Sequence, residues 1–354
     1  MRPDSGVSCP YSCMLPYSLI RPILFRLDAE RAHHLTIAGL RVASRLRLDK
    51  LLSPRIASKP VEMMGLTFPN RVGLAAGLDK AGQCVAGFGA MGFGHVEVGT
   101  ITPRPQAGNP KPRLFRIRER EAIINRMGFN NPGMDGALDN VARSRRGFEG
   151  VLGINIGKNK DTPNERAIDD YLICFRKAYA AADYIAVNVS SPNTAGLRDL
   201  QDPEAAGSLL KRLKEEQDAL AEETGRRLPF AVKIAPDMDD AQITELGALF
   251  GEIEMDAVIA TNTTVSREAV KGLKHSDEAG GLSGAPLTAR STEVIGELRA
   301  ALDPKIPIIG VGGIGSAADA QAKIEAGATL VQIYSGLIYK GPALVRELLE
   351  GLED

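Results

Sequence analysis

From residue 72 onward, short apolar runs alternate with stretches of helical periodicity. Eight runs read as strands: Val72–Gly77, His95–Thr100, Val151–Gly157, Tyr184–Ser190, Phe230–Ala235, Ala257–Thr263, Pro307–Gly313 and Leu330–Ser335. They are nearly continuous in apolar character, as expected for strands of a parallel sheet covered on both faces. Helix-like stretches such as Pro203–Glu223 and Ser316–Ala326 lie between most of them. Eight β/α repeats predict an α/β protein built as a TIM (β/α)8 barrel; a doubly wound Rossmann-type sheet would show about six strands.

Two connections are longer than a simple crossover. In 101–150, Leu114–Arg118 and Ala122–Asn125 have the character of a hairpin, and 264–306 carries the loop Gly280-Gly281-Leu282-Ser283-Gly284 ahead of its helix. Long βα loops at a barrel mouth are where sites and lids are built. Ahead of the barrel, Leu19, Ile20, Ile23, Leu24 and Leu27 recur at helical spacing. A second helix follows Asp28, its expected N-cap, with Glu30 in the first turn and Leu35, Ala38, Gly39, Val42 and Leu46 along one side. Both helices are arginine-rich (Arg21, Arg26, Arg31, Arg41, Arg45, Arg47). Two readings stand for this pair: a hairpin packed on the barrel, or one lying on an anionic membrane surface. The chain divides into an unstructured extension over 1–14, a helical hairpin over 15–55 and the barrel over 56–354, with Met14 as an alternative start.

Charge is nearly balanced, with 43 Lys+Arg against 44 Asp+Glu. That argues against nucleic acid, which would need a basic face. The cysteines, Cys9, Cys13, Cys84 and Cys174, have no zinc spacing with histidines, so isolated reduced thiols and no metal are expected. No run reaches the ~20 apolar residues of a membrane-spanning helix, and no signal-peptide pattern opens the chain.

Polar residues that packing does not explain gather at the strand ends: Asn155, Asn188 and Ser191, Lys233, and Thr261-Asn262-Thr263. In a barrel these ends converge on one mouth. The segment Asn188-Val189-Ser190-Ser191-Pro192-Asn193-Thr194 suits the holding of a small polar ring, because asparagine both donates and accepts hydrogen bonds. A lysine inside Ala231-Val232-Lys233-Ile234-Ala235 is costly to bury unpaired, and negative charge on a cofactor would offset that cost. Gly310-Val311-Gly312-Gly313-Ile314-Gly315 matches G-x-G-x-x-G, but after the seventh run and without the acidic residue of a dinucleotide site. With Ile333-Tyr334-Ser335-Gly336 after the eighth run, it is placed to bind one phosphate, hence a mononucleotide such as FMN. Ala75-Ala76-Gly77-Leu78-Asp79-Lys80 puts small residues and a lysine at the first strand's mouth, and Asn125-Arg126-Met127-Gly128-Phe129-Asn130 brings another asparagine from the long insertion. His33, His34, His95 and His275 do not follow strand ends, which leaves no histidine base.

Together these motifs resemble dihydroorotate dehydrogenase of class 2, the quinone-linked form, and of bacterial type. The resemblance rests on Gly73–Lys80, Gly99–Pro105, Asn125–Asn131, Gly153–Asp161, Asn188–Leu197, Val232–Asp237, Ala260–Thr264, Gly280–Leu287, Gly310–Gly315 and Gln332–Gly336, and on the hairpin. It implies that (S)-dihydroorotate is oxidised to orotate in pyrimidine (UMP) biosynthesis, with hydride passing to one FMN per chain and electrons then passing to a membrane quinone. It implies Ser191 as the base that takes the C5 proton, relayed by Thr194 and a water; class 1 relatives carry cysteine there. Lys80, Asn125, Arg126, Met127, Gly128, Phe129, Asn188, Asn193, Asn262 and Thr263 are implied to hold the substrate. For FMN the implied residues are Ala76, Gly77, Leu78, Asp79, Lys80, Thr100, Asn155, Asn188, Lys233, Thr261, Gly284, Gly313, Tyr334 and Ser335. Quinone is implied to enter through the hairpin past His33 and Arg116. The expected location is the cytoplasmic side of the inner membrane, held peripherally as a monomer. Rival readings are an FMN barrel using fumarate or an NAD-linked subunit, a dihydrouridine synthase acting on RNA, and a non-catalytic phosphate-binding barrel.

Overall fold

The computed structural model describes residues 17–46 and 59–352. The expected extension with Cys9 and Cys13, and residues 15–16 and 47–55 of the expected hairpin unit, lie outside the described residues. Strands are numbered along the chain. β1 (Val61–Met63) and β2 (Leu66–Phe68) pair as a short antiparallel ribbon. Eight parallel strands close the barrel: β3 (Val72–Leu74), β4 (His95–Ile101), β7 (Val151–Ile156), β8 (Tyr184–Asn188), β9 (Phe230–Ile234), β10 (Ala257–Ala260), β12 (Ile308–Val311) and β13 (Leu330–Ile333). The TIM barrel is therefore present, with each predicted run supplying one strand. β3, β8, β10, β12 and β13 stop two or three residues before the predicted ends. The backbone turns there, through Gly77 (φ 105°) after β3 and through Gly312 (φ 126°) and Gly313 (φ 72°) after β12. The polar residues past these points thus ride on loops at the mouth.

β5 (Leu114–Ile117) and β6 (Ala122–Asn125) form the expected hairpin. The Gly280–Gly284 segment, expected as a loop, instead contains β11 (Gly281–Gly284), which pairs with β6. Gly281 lies opposite Asn125 and Gly284 opposite Ala122. A side chain at Gly284 (φ 99°) would meet the Glu121 carbonyl at 2.1 Å, so glycine is what lets the two insertions join as one sheet.

The bottom of the barrel is closed by packing. The Phe68 ring stands edge-on to His95 at 5.4 Å. His95 is fully buried at the start of β4, and burial pushes its imidazole down to about 3, so it is neutral. Higher in the barrel, the buried Glu97 accepts from Asn155 (2.8 Å), Tyr184 (2.9 Å) and Gln332 (2.9 Å). Three donors on one carboxylate compensate its removal from water.

The N-terminal pair consists of α1 (Tyr17–Leu24) and α2 (Ala29–Arg45). Asp28 caps α2 as predicted, accepting from Glu30 N at 3.1 Å and Arg31 N at 3.0 Å. Leu19, Ile23, Leu35, Val42 and Leu46 remain exposed on the pair. No helix among the described residues is long and apolar enough to cross a membrane.

Candidate active site

A cavity of ≈ 330 Å³ opens at the C-terminal mouth of the barrel. Ser191 reaches its wall from the loop after β8, and is 5% exposed. Its hydroxyl accepts from Asn193 N at 3.2 Å, which fixes the turn that carries both residues. Around it stand Asn188 at the end of β8, Asn262 and Thr263 beyond β10, and Asn125 at the end of β6.

These asparagines are ordered by the barrel interior. A carboxylate can only accept, so Glu97 takes the Asn155 amide group. The Asn155 oxygen then accepts from the Thr100 hydroxyl (2.5 Å) and from Asn188 Nδ2 (3.3 Å). Asn188 Nδ2 also donates to Thr100 (2.8 Å), while its oxygen accepts from Ser190 N (3.2 Å) and Asn262 Nδ2 (3.4 Å). The polarity of one buried acid is passed from amide to amide up to the mouth. Glu97, Tyr184 and Gln332 were not found in the sequence as a group, because only the closed barrel brings β4, β8 and β13 together.

Lys233, paired in register with Asn188, is 5% exposed. Its ammonium has no hydrogen-bond or ion-pair partner among the described residues. Burial pushes its pKa down, and the charge of Glu97 works in the opposite direction. Asn193 Oδ1 and Thr263 Oγ1 on the same wall, and Thr194 Oγ1, are also buried without partners. Unpaired buried polar atoms are rare, and a group of them beside a cavity is what a bound ligand or an ordered water would satisfy. The far end of the cavity is rich in glycine: Gly284, Gly312, Gly313, Gly315 and Gly336 line it with Ser335.

Of the residues predicted for catalysis, substrate and FMN, Ala76, Gly77, Lys80, Thr100, Asn125, Met127, Gly128, Phe129, Asn188, Ser191, Asn193, Lys233, Thr261, Asn262, Thr263, Gly284, Gly313, Tyr334 and Ser335 all line this cavity. Five others do not. Asp79 is 1% exposed and turned inward, where its carboxylate accepts from Gln83 N (2.8 Å) and Cys84 N (2.7 Å). Asn155 lies one layer below, and Leu78 faces a different cavity. Arg126 is drawn off to Glu278 (2.6 Å) and over the Phe115 ring (4.7 Å), so it clamps the two insertions together. Thr194 is buried just behind the wall. Thr288 and Lys340 also line the cavity and were missed. They sit on helices following β11 and β13, where nothing in the local pattern sets them apart.

The second cavity, of ≈ 440 Å³, lies between the helical pair and the barrel, and its walls are mainly apolar. His33 and Arg116 both face it. Lys80, Met127 and Tyr334 belong to both cavities, so the two are separated by a wall one side chain thick. Burial and the charge of Lys80 push the His33 imidazole down to about 3. Lys80 itself is pulled down to about 8, first by burial and then by the charge of Arg113. Arg116 donates to the Leu24 carbonyl (3.2 Å) and to that of Leu27, and lies 4.6 Å over the Phe25 ring, which pins the end of α1.

A family model described as dihydroorotate dehydrogenase matches residues 59–354. The chain belongs to the dihydroorotate dehydrogenase family. It is 61% identical over 336 residues to a dihydroorotate dehydrogenase (quinone) of Thiobacillus denitrificans, covering 95% of this chain and 99% of that protein. A protein of the same name from Stenotrophomonas maltophilia is 57% identical, with 95% of each chain covered. Among solved structures, the crystal structure of DHODH from Eimeria tenella in complex with ferulenol superposes with a TM-score of 0.84 at 38% identity, covering 91% of this chain and 90% of that one. Membership of this family accounts for a barrel with a cavity at its C-terminal mouth, and the match to quinone enzymes extends across the helical pair as well.

Proposed function

We propose that this enzyme oxidises (S)-dihydroorotate to orotate for pyrimidine biosynthesis and delivers the electrons to a quinone, with Ser191 as its base and one FMN per chain. The reaction and its acceptor follow from the family and from 61% identity to a quinone-dependent relative over 95% of the chain. The observation that carries the site reading is the joint presence, in one cavity, of Ser191, a Lys233 ammonium without a partner among the described residues, and a glycine-rich end.

The residues present fit FMN. Lys233 offers a cation to a ring system that gains negative charge on reduction, and Gly284, Gly313, Tyr334 and Ser335 border the end suited to a phosphate. Thr100, Thr261 and the Ala76–Gly77 turn border the stretch between. FMN, when bound, supplies the hydride acceptor and the electron store between the two substrates. Lys80, Asn125, Asn188, Asn193, Asn262 and Thr263 hold the orotate ring and its carboxylate.

Ser191 takes the proton from C5 of dihydroorotate as hydride leaves C6. A serine hydroxyl is a weak base, so the proton must be passed on. The Thr194 hydroxyl, three residues along the same loop and buried without a partner among the described residues, supports its role in that relay through a water. The apolar second cavity, with His33 and Arg116 on its wall, suits the quinone. Exposed Leu19, Ile23, Leu35, Val42 and Leu46, flanked by arginines, support peripheral binding of the helical pair to an anionic membrane; the side we propose is the cytoplasmic face of a bacterial inner membrane. We take the enzyme to be a monomer.

An anaerobic absorbance spectrum tests the reading. A yellow protein should bleach with dihydroorotate and recover with a short-chain ubiquinone, but not with fumarate or NAD. Recovery only with fumarate or NAD would overturn the acceptor, and a colourless protein that binds no flavin would overturn the cofactor.

A further inference from the structure

Glu30 is the one acid of the first turn of α2, and its side chain is 6% exposed. It is paired with Arg113, itself 7% exposed, through two hydrogen bonds of 2.7 and 3.2 Å. Burial alone would raise the Glu30 carboxyl, but the hydrogen bonds from Arg113 and Lys111 outweigh it and hold the carboxyl at about 2. Arg113 does not stop at the helix. Its Nη1 donates to the carbonyls of Ala107 (2.7 Å) and Asn109 (2.8 Å), and so fixes the loop leading into β5.

Asn109 is the next link. Its side-chain amide donates to the carbonyl of Arg126 at 3.0 Å and to that of Asn193 at 3.2 Å. Its oxygen accepts from Lys160 at 3.0 Å. Asn193 belongs to the loop that presents Ser191, and Arg126 follows Asn125 at the end of β6. A side chain at Gly128 would meet the Asn109 amide at 2.8 Å, so the segment following Asn125 passes close against this residue. One run of direct hydrogen bonds therefore leads from α2 through Glu30, Arg113 and Asn109 to the two segments that line the cavity at Asn125 and Asn193. Nothing about Asn109 stands out in the sequence, and it does not line the cavity.

We propose that Asn109 is a positioning residue for the substrate loop, and that the Glu30–Arg113 pair makes the seating of the helical pair part of the substrate site. The proposal rests on the reading of that cavity as the dihydroorotate site. Its physical basis is that Asn109 holds two carbonyls at once, and a side chain that bridges two loops sets their separation. Arg113 fixes where Asn109 sits, and Glu30 fixes Arg113. The exposed lysine, Lys111, also touches Glu30 at 3.2 Å but lies off this path.

The test is orotate affinity of the flavin-loaded enzyme, read from the change in flavin absorbance on titration, for wild type, Glu30→Gln, Asn109→Ala, the double variant and Lys111→Met. Glu30→Gln and Asn109→Ala should each weaken orotate binding about tenfold, as expected for sites joined by direct coupling. The double variant should be little weaker than the poorer single variant, since residues in one network are not additive. Lys111→Met should bind orotate like wild type. Thermal melts followed by flavin fluorescence identify any variant that has lost its fold, and Arg113→Lys then replaces Glu30→Gln as the break in the path. Unchanged affinity in folded Glu30→Gln, or additive losses in the double variant, would overturn the coupling. Failure of the wild-type protein to bind orotate at all would instead overturn the assignment of the cavity.

Discussion

Asn193 donates to Asn125 across the mouth of the barrel, Nδ2 to Oδ1 at 3.2 Å. One comes from the loop after β8 and the other from the end of β6, 68 residues away in the chain. The contact joins the Ser191 loop to the inserted sheet and leaves Asn193 Oδ1 free of any partner among the described residues. An amide with one half anchored and the other half unpaired keeps an unsatisfied acceptor beside the cavity.

Ser191→Ala should slow flavin reduction by dihydroorotate about 10²-fold or more, within the usual span for a general base. Flavin content should stay at the wild-type level, because Ser191 contacts its own loop and not the glycine-rich end. Stopped-flow absorbance under anaerobic conditions gives the rate directly, and near-wild-type reduction would remove Ser191 from the mechanism.

Lys233→Met should have opposite effects on the two forms of the protein. The flavin-free form loses a buried charge that no described side chain hydrogen-bonds or ion-pairs, so its melting temperature should hold or rise by about 2–4 °C. Flavin retention on gel filtration should fall. A variant that melts lower without flavin yet retains it fully would mean that Lys233 serves the barrel and not the cofactor.

The ammonium of Lys80, with a pKa pulled down to about 8, predicts a pH dependence for substrate binding. Below that value the side chain is charged and can pair with the orotate carboxylate; above it the charge is lost. Affinity for orotate should therefore be highest below pH 8 and decline as pH rises through it. Lys80→Met should bind at least about tenfold more weakly at neutral pH, the usual scale for a hydrogen bond to a charged group, and its affinity should no longer change through pH 8.

With its imidazole at about 3, His33 is neutral throughout the working range. The rate of flavin reoxidation by quinone should thus have no ionisation limb between pH 5 and 8 that belongs to His33. Finding such a limb in wild type and its loss in His33→Asn would contradict a neutral histidine in the second cavity.

Gly313→Ala probes the glycine-rich end. The added Cβ would lie 2.4 Å from the backbone N of Thr288, at a residue with φ of 72°. Backbone cannot retreat as a flexible side chain can, and the strain of about 1–3 kcal/mol falls on the loop. Flavin affinity should drop by about tenfold or more, seen as free flavin fluorescence in the purified variant, while substitutions at Asn193 or Thr263 should leave that signal unchanged.

The barrel was legible in the sequence because burial on both faces forces each strand into an unbroken apolar run, a signature that survives without knowledge of the fold. Ser191, Lys233, Asn188 and Asn262 were legible for the converse reason: polar residues at the ends of such runs have no packing role, and the closed barrel had to bring them to one mouth. Asp79 and Arg126 lie in equally suggestive motifs, yet one caps backbone amides and the other clamps Glu278, which depends on how far each turn rotates its side chain. β11 was read as a loop because its glycine-rich sequence carries no strand pattern, and only a partner strand from the other insertion supplies the hydrogen bonds that make it one. The same holds for Glu97 among Asn155, Tyr184 and Gln332, for Asn109, and for the wall shared at Lys80. Local pattern determined which segments are buried and which polar residues are out of place; the closing of the barrel and the docking of the helical pair decided what those residues touch, because hydrogen-bond partners distant in the chain are set by tertiary geometry alone.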